Sequence, residues 1–324
     1  MTLLLSTDTD SGTVSVFDYG SDDLKELKII DVGNGPRGAV RFTKAGLGYV
    51  TNHAGNTLSE IDMKSLEEVG RIEVGIAPIG LQIFSKKYAI VSNSGDDDAS
   101  IVDLQKRVEI GRVPIGREPR HPDVTPDDNF AYLPISRDDA VAKVDLAPLK
   151  AGKVEGVQVI KRISVGKGAK PYSCAVSPDG SRVVVANNQQ SYVSIIDTKT
   201  DEIVHKVEIG SKGARGTAYT EDGSAALVTI EDIDEIVAID VATGKIFDRY
   251  ATGPGPRGLF FDAKLNRVGS AAFARAARFG RENTVSLINF GPQPLVTEKR
   301  DTPPEVIDIQ VGAGPCSVVL FDAR

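Results

Sequence analysis

Ser173-Cys174-Ala175-Val176-Ser177-Pro178-Asp179-Gly180 runs into Ser181-Arg182-Val183-Val184-Val185-Ala186-Asn187-Asn188, then into Tyr192-Val193-Ser194-Ile195-Ile196-Asp197 and Glu202-Ile203-Val204-His205-Lys206-Val207-Glu208-Ile209. Within these runs apolar and polar residues alternate at period two, and turn residues separate them. That is the signature of strands rather than of helix. Pro178-Asp179-Gly180 suits a tight turn, because proline presets its backbone angle and glycine accepts a positive one. The stretch predicts four short antiparallel strands in succession.

The same text recurs through the chain. A Val-Gly or similar pair, followed shortly by Pro or Ala, opens at Val32-Gly33, Val74-Gly75, Ile115-Gly116, Val165-Gly166, Ile209-Gly210, Thr252-Gly253 and Val311-Gly312. Steps between these glycines are 42, 41, 50, 44, 43 and 59 residues, close to the roughly 40–50 residues of one propeller blade. Turns equivalent to Pro178-Asp179-Gly180 occur at Thr220-Glu221-Asp222-Gly223 and Thr125-Pro126-Asp127-Asp128. The prediction is an all-β, seven-bladed β-propeller of four-stranded antiparallel blades, with residues 1–324 forming one domain. The last copy supplies one strand, Pro315 to Phe321, before the chain ends. Leu3–Ser6, Thr13–Asp18 and Leu24–Val32 read as the other three, so the closing blade is expected to draw strands from both termini, which leaves no open sheet edge.

The chain resembles the YVTN family of β-propeller repeat proteins. The motif stands as Tyr49-Val50-Thr51-Asn52, with variants Ile90-Val91-Ser92-Asn93, Val184-Val185-Ala186-Asn187 and Leu227-Val228-Thr229-Ile230; Ser177-Pro178-Asp179-Gly180 and Ile196-Asp197-Thr198-Lys199-Thr200 also match the family pattern. The resemblance covers essentially the whole chain and implies the fold; activity belongs to sites grafted on a fold.

Composition narrows the function classes. Hydrophobic residues make up 41% and charged residues 26%, as in ordinary globular proteins. The net charge of −7 gives no global attraction to nucleic acid or anionic lipid. Neither partner is expected. Met1–Ser6 lacks the basic leader and long apolar run of a secretory signal, and Cys174 and Cys316, in copies three apart, are placed too far from each other to bridge. A cytoplasmic location is the expectation. The absence of Trp argues against the WD type of propeller.

In a propeller, the loop before each innermost strand and the loop between the second and third strands share one face. The position after the Pro or its substitute reads Arg37, Ile79, Arg120, Tyr172, Arg215, Arg257 and Cys316. Four converging guanidinium groups repel unless something negative lies among them. Carboxylates of the second-to-third-strand loops, from Asp8 to Asp234, are one candidate; a substrate anion is the other. The expected substrate-binding set is Arg37, Arg120, Tyr172, Arg215 and Arg257, joined by Arg275 and Arg278 from the long loop 270–283, which reads as a short helical lid. His53 enters a loop of this face, and His121 replaces the Gly or Ser of the other copies. Both are candidate acid–base groups, because imidazole titrates near neutrality. No cofactor is expected. Two histidines with nearby carboxylates leave a divalent metal as the alternative, although no ligand spacing is present. The reading is a small-molecule enzyme of lyase, isomerase or hydrolase type acting on an anionic substrate over the channel. The alternative is a non-catalytic platform for an acidic peptide or protein partner.

Overall fold

A computed structural model describes residues 1–20, 24–273, 283–291, 295 and 303–322. Among them twenty-eight strands, numbered β1 to β28 in chain order, form seven four-stranded antiparallel sheets. The innermost strands of blades one to six are β4 (Pro36–Phe42), β8 (Pro78–Phe84), β12 (Asp123–Val124), β16 (Pro171–Val176), β20 (Ala214–Tyr219) and β24 (Pro256–Asp262). Blade seven takes β28 (Pro315–Asp322) as its inner strand and completes itself with β1 (Thr2–Asp8), β2 (Thr13–Asp18) and β3 (Glu26–Asp31). Pairing runs from Thr2↔Asp322 to Asp8↔Pro315, so the two termini close the ring as the repeat predicts. Inner strands touch their neighbours in turn, and β28 contacts both β24 and β4.

The tetrapeptide motif has a structural explanation. β5 (Leu47–Asn52) ends in the motif's asparagine, whose Nδ2 donates to Ser59 Oγ at 2.8 Å, while Gly33 N donates to the same hydroxyl at 3.1 Å. A β-carbon at Gly33 would overlap the Asn52 side chain. Asn93, Ser100 and Gly75 repeat the clasp in blade two, and Asn187 and Ser194 form its amide–hydroxyl half in blade four. The glycine of the Val-Gly pair is therefore required wherever an asparagine side chain lies against it. The two motifs are halves of one contact.

A second contact stitches blade to blade. Asn56, Asp97, Asp139, Asp234 and Asn283 have φ between +54 and +60°, a left-handed conformation that Asn and Asp tolerate best among residues with a β-carbon. From there each Oδ1 accepts an amide of the next blade's entry loop, from Ala77, Glu118, Lys170, Gly255 and Gly314 respectively, at 2.8 to 3.0 Å. Backbone substitutes between blades four and five, where Gly213 N donates to Asn188 O. From blade seven to one, Thr9 Oγ1 donates to Pro36 O.

The insertion from Leu146 to Val165 differs from the extended hairpin expected there. It forms one helical turn, Ala147–Lys150, and a 3-10 turn, Val154–Gly156, before the outer strand Gln158–Ser164. Pro148, within the first turn, favours that start. Val154 packs where Gly111 of blade two leaves room. No helix among the described residues is long and apolar enough to cross a membrane.

Blade seven carries Asp8 where the other clasps have asparagine. It accepts from Ser6 and Ser15 hydroxyls at 2.6 Å, and burial raises its pKa to about 6. The folded state then holds this proton more tightly than the unfolded chain does. Stability contributed at Asp8 is therefore greatest below about pH 4 and falls as pH rises through about 6. Asp8→Asn is expected to remove that slope and stabilise the protein at pH 7 by up to about 3 kcal/mol. Denaturant midpoints of both proteins across pH 4 to 8 check this; parallel curves would refute it. Removing β28 is expected to abolish cooperative unfolding; a truncated chain that stays monomeric and unfolds in one sharp transition would show that the ring does not need its closure.

Candidate functional site: an arginine rim over the channel

The shared face forms as expected: His53 N donates to Gly35 O at 3.0 Å, joining a second-to-third-strand loop to the phrase before β4. Motif residues also place the rim. Thr51 Oγ1 donates to Arg37 O at 2.6 Å, and Thr229, at the same strand position, donates to Arg257 O at 2.8 Å. The Ser173 hydroxyl donates to Arg215 O. Arg37, Arg215 and Arg257 thus each leave a backbone that a neighbouring hydroxyl holds, whereas Arg120 N donates to Pro134 O and Tyr172 O accepts from His121 N.

From blade three to blade six the rim is a chain of alternating contacts. Glu118 pairs with Arg120 and also with Arg137. The Tyr172 ring lies between Arg120 and Arg215, 5.1 and 4.2 Å from their guanidinium carbons. Arg215 Nε donates to Glu231 at 2.6 Å, Arg257 Nη2 donates to the same carboxylate at 2.8 Å, and Arg257 covers the Phe273 ring at 3.6 Å. Cation–π and charge-assisted contacts are both stronger out of water, and here Arg215, Arg257 and Glu231 are each less than one-fifth exposed.

Loop carboxylates were one of the two candidate partners for this ring, and among the described residues Glu231 pairs with it. The others have different tasks. Asp97, Asp139 and Asp234 hold the blade-to-blade amides, Asp96 and Asp138 bond Arg112 and Arg117, and Asp8 is a buried clasp. Arg37 is left without a countercharge: no ion pair among the described residues reaches it, and its Nε is buried and unpartnered.

Below the rim lies a cavity of about 390 Å³, lined by Arg41, His121, Tyr172, Arg215 and Arg257 and floored by apolar inner-strand residues such as Phe260 and Val319. Arg37 and Arg120 stand outside its wall, yet both bear electrostatically on His121. Burial and the surrounding Arg120, Arg37, Arg41 and Arg215 depress the His121 pKa to about 3. Its ring occupies space left by glycine in both preceding blades: a β-carbon at Gly80 would lie 2.8 Å from Nδ1, and one at Gly38 would lie 3.5 Å from it. His53 Nδ1 donates to Pro78 O at 3.3 Å, and burial first, then Arg37, lowers its pKa. Both imidazoles are neutral in the free protein at pH 7.

Cys316 lines the cavity at rim level, and Cys174 lies deeper in the wall; both are free thiols, and burial raises the Cys174 pKa. His205 packs on the outer surface, its Nε2 3.1 Å from Ala242 O. Among the described residues no group of three metal-ligating side chains comes together. Ser270–Ala272 belongs to the strand Arg267–Ala272 rather than to a loop, whereas the expected lid with Arg275 and Arg278 falls on 274–282, outside the described residues. Sequence reasoning missed Glu118 and Phe273 as rim partners, and Arg41, Gln82 and Asp123 below them.

A ring of seven four-stranded blades around a polar-mouthed channel defines the class: a seven-bladed β-propeller. The chain belongs to the YNCE-like beta-propeller family, whose profile matches residues 74–272, in keeping with its YVTN-type repeats. No curated protein matches the chain. Similar solved structures include hydrazine synthase from Kuenenia stuttgartiensis, with a TM-score of 0.71, 18% identity, and 93% of this chain and 92% of that chain covered. A proposed 6-phosphogluconolactonase from Bacteroides uniformis aligns at a TM-score of 0.80 and 14% identity over 99% of both chains. A functionally unknown protein from Desulfotomaculum acetoxidans aligns at 0.78 and 13% over 98% of both. At these identities the likeness carries the fold alone.

Glu231→Gln takes the shared negative charge from two half-buried guanidinium groups and is expected to cost about 1–3 kcal/mol of stability. Arg37→Ala, which breaks no ion pair, is expected to stay within about 0.5 kcal/mol of the parent. Urea unfolding of the two variants tests this; equal destabilisation would mean that Arg37 has a partner. His121 is expected to show no imidazole titration above about pH 4 by NMR in the free protein.

Proposed function

We propose that the chain binds an anionic small molecule over the central channel, with Arg37 and Arg120 receiving its charged group and Tyr172, Arg215 and Arg257 forming the wall beside it. The observation that carries this reading is Arg37. Its neighbours Arg120, Arg215 and Arg257 already have carboxylates, whereas a positive charge held half-buried beside other cations has a cost that an incoming carboxylate or phosphate offsets. A partly apolar cavity of this size, with a few convergent polar groups, suits a small ligand better than an extended peptide.

The anion also supplies a route to chemistry. In the free protein His121 is a weak base, first because it is buried and then because of the cations around it. A bound anion cancels part of that field and raises the imidazole pKa toward the range useful for proton transfer. His121, with His53 as the second candidate at the rim, is then the acid–base group of a lyase, isomerase or hydrolase type of reaction, active only in the complex. We propose no cofactor for this chemistry.

Calorimetric titration with small carboxylates and phosphate esters tests the proposal. Binding is expected to weaken about tenfold or more in Arg37→Ala and Arg120→Ala, and the His121 resonances are expected to begin titrating at higher pH in the complex. Capture of an acidic peptide by a protein that ignores every small anion would favour the interaction-platform reading instead.

A further inference from the structure

Strand register places three polar side chains at one level of the channel, below the rim. Counting along each second strand from its last residue, the partner three positions back is Tyr49, Ile90, Tyr132, Val184, Leu227, Gly269 and Leu5 for blades one to seven. The inner-strand residues opposite them are Arg41, Gln82, Asp123, Ala175, Ala218, Phe260 and Val319. Blades one to three therefore present an arc of Arg, Gln and Asp. Blades four to seven present a small or apolar arc across from it.

Arg41 reaches this level through an irregularity of its own strand. Three residues of β4 lie between Arg37 and Arg41, against the single Val50 on the paired strand. The other inner strands carry one extra residue at this place; β4 carries two, with Gly38 at φ +68° absorbing the turn. This second bulge residue moves Arg41 into the position that Gln82 and Asp123 hold in the next two blades.

The three polar groups are not equally satisfied. Asp123 Oδ1 accepts from Gln82 Nε2 at 2.5 Å and Val124 N at 2.9 Å, and its Oδ2 accepts from Val176 N at 2.8 Å. It is a fixed, nearly saturated acceptor. Arg41 shows the opposite: its Nε is buried without a partner, no hydrogen bond among the described residues involves its guanidinium, and no ion pair joins it to Asp123. A guanidinium offers five donors, and here they border the cavity. The level is rich in donors that lack an acceptor.

Charge points the same way. Among the described residues, Arg37, Arg41, Arg120, Arg215 and Arg257 face the channel or its mouth, against Glu118, Glu231 and Asp123, so in this set five cations meet three anions and two positive charges remain. Among the described residues, the two of these arginines without ion pairs stand at different levels of one strand, opposite Thr51 and Tyr49, so that two residues of the paired strand separate their levels by roughly 7 Å.

We infer that the channel takes a ligand with two acidic groups, one held at the mouth by Arg37 and the other inside by Arg41, its body lying against the Ala175, Ala218, Phe260 and Val319 arc. The inference rests on the anion-binding reading above and narrows it from an anion to a dianion of defined length.

The test titrates the full-length protein calorimetrically with the dicarboxylates from succinate to azelate, and with unbranched monocarboxylates of the same chain lengths. One dicarboxylate is expected to bind about tenfold or more tightly than its monocarboxylate counterpart, with affinity falling for both shorter and longer homologues. Arg41→Gln is expected to bring that diacid down to the level of the monoacid, and Arg41→Lys to restore part of the difference. Because the length series is measured on the unaltered protein, it decides the matter even where a variant fails to fold. Monoacids that bind as tightly as diacids at every length would overturn the second subsite and leave the mouth reading standing. Failure of both kinds to bind would remove both.

Discussion

The ring depends on a backbone amide at six of the seven blade entries finding an acceptor in the blade before it. A buried or half-buried amide without a partner costs about as much as a lost hydrogen bond, and the entry loops run between sheets where no ladder can serve them. Side chains of Asn56, Asp97, Asp139, Asp234 and Asn283 supply the acceptor from a left-handed backbone that few other residue types adopt. The same loops thereby fix where the next inner strand begins, and so where its rim residue points.

That constraint also settles the electrostatics of the mouth. Carboxylates committed to blade-to-blade amides are not available to the arginines. Glu231, which serves Arg215 and Arg257, and Glu118, which serves Arg120, are the rim carboxylates found among the described residues. A structural role and a binding role are thus divided among the arginines rather than competing for all of them. The blades that carry the Glu231 network form the side with paired arginines, and the blade that carries Arg37 and Arg41 forms the side with unmet donors. His121 lies between the two sides, filling the room left by Gly38 and Gly80. Burial first, and then the charge around it, keeps it neutral.

Much of this was legible in the text of the chain, and the limits have identifiable causes. The Val-Gly and Tyr-Val-Thr-Asn phrases recur because each is one half of a clasp, so the repeat, the blade count and the shared closing blade could all be read. The rim could be read too, since its residues follow directly on the recurring proline, or on Ala214 in its place, at each blade entry. Arg41 could not be aligned in this way. Counted from proline it falls one place beyond Gln82 and Asp123, and the extra bulge that cancels the difference is a matter of pairing rather than of composition. A scan for charged residues on inner strands that are otherwise apolar would have found Arg41 and Asp123 as anomalies, without bringing them to one level.

The sequence by itself determined the architecture, because period-two alternation and recurring turn chemistry are local properties that repeat in every blade. It also determined that four arginines gather at one mouth, since equal spacing in a ring makes equivalent positions neighbours. Which arginine is paired, which loop acid spends its charge on a backbone amide, and which polar groups share a level inside the channel were decided only by tertiary structure. Those outcomes turn on angstrom-scale register and on competition among several acceptors for the same donors, and neither is written in the order of residues along one strand.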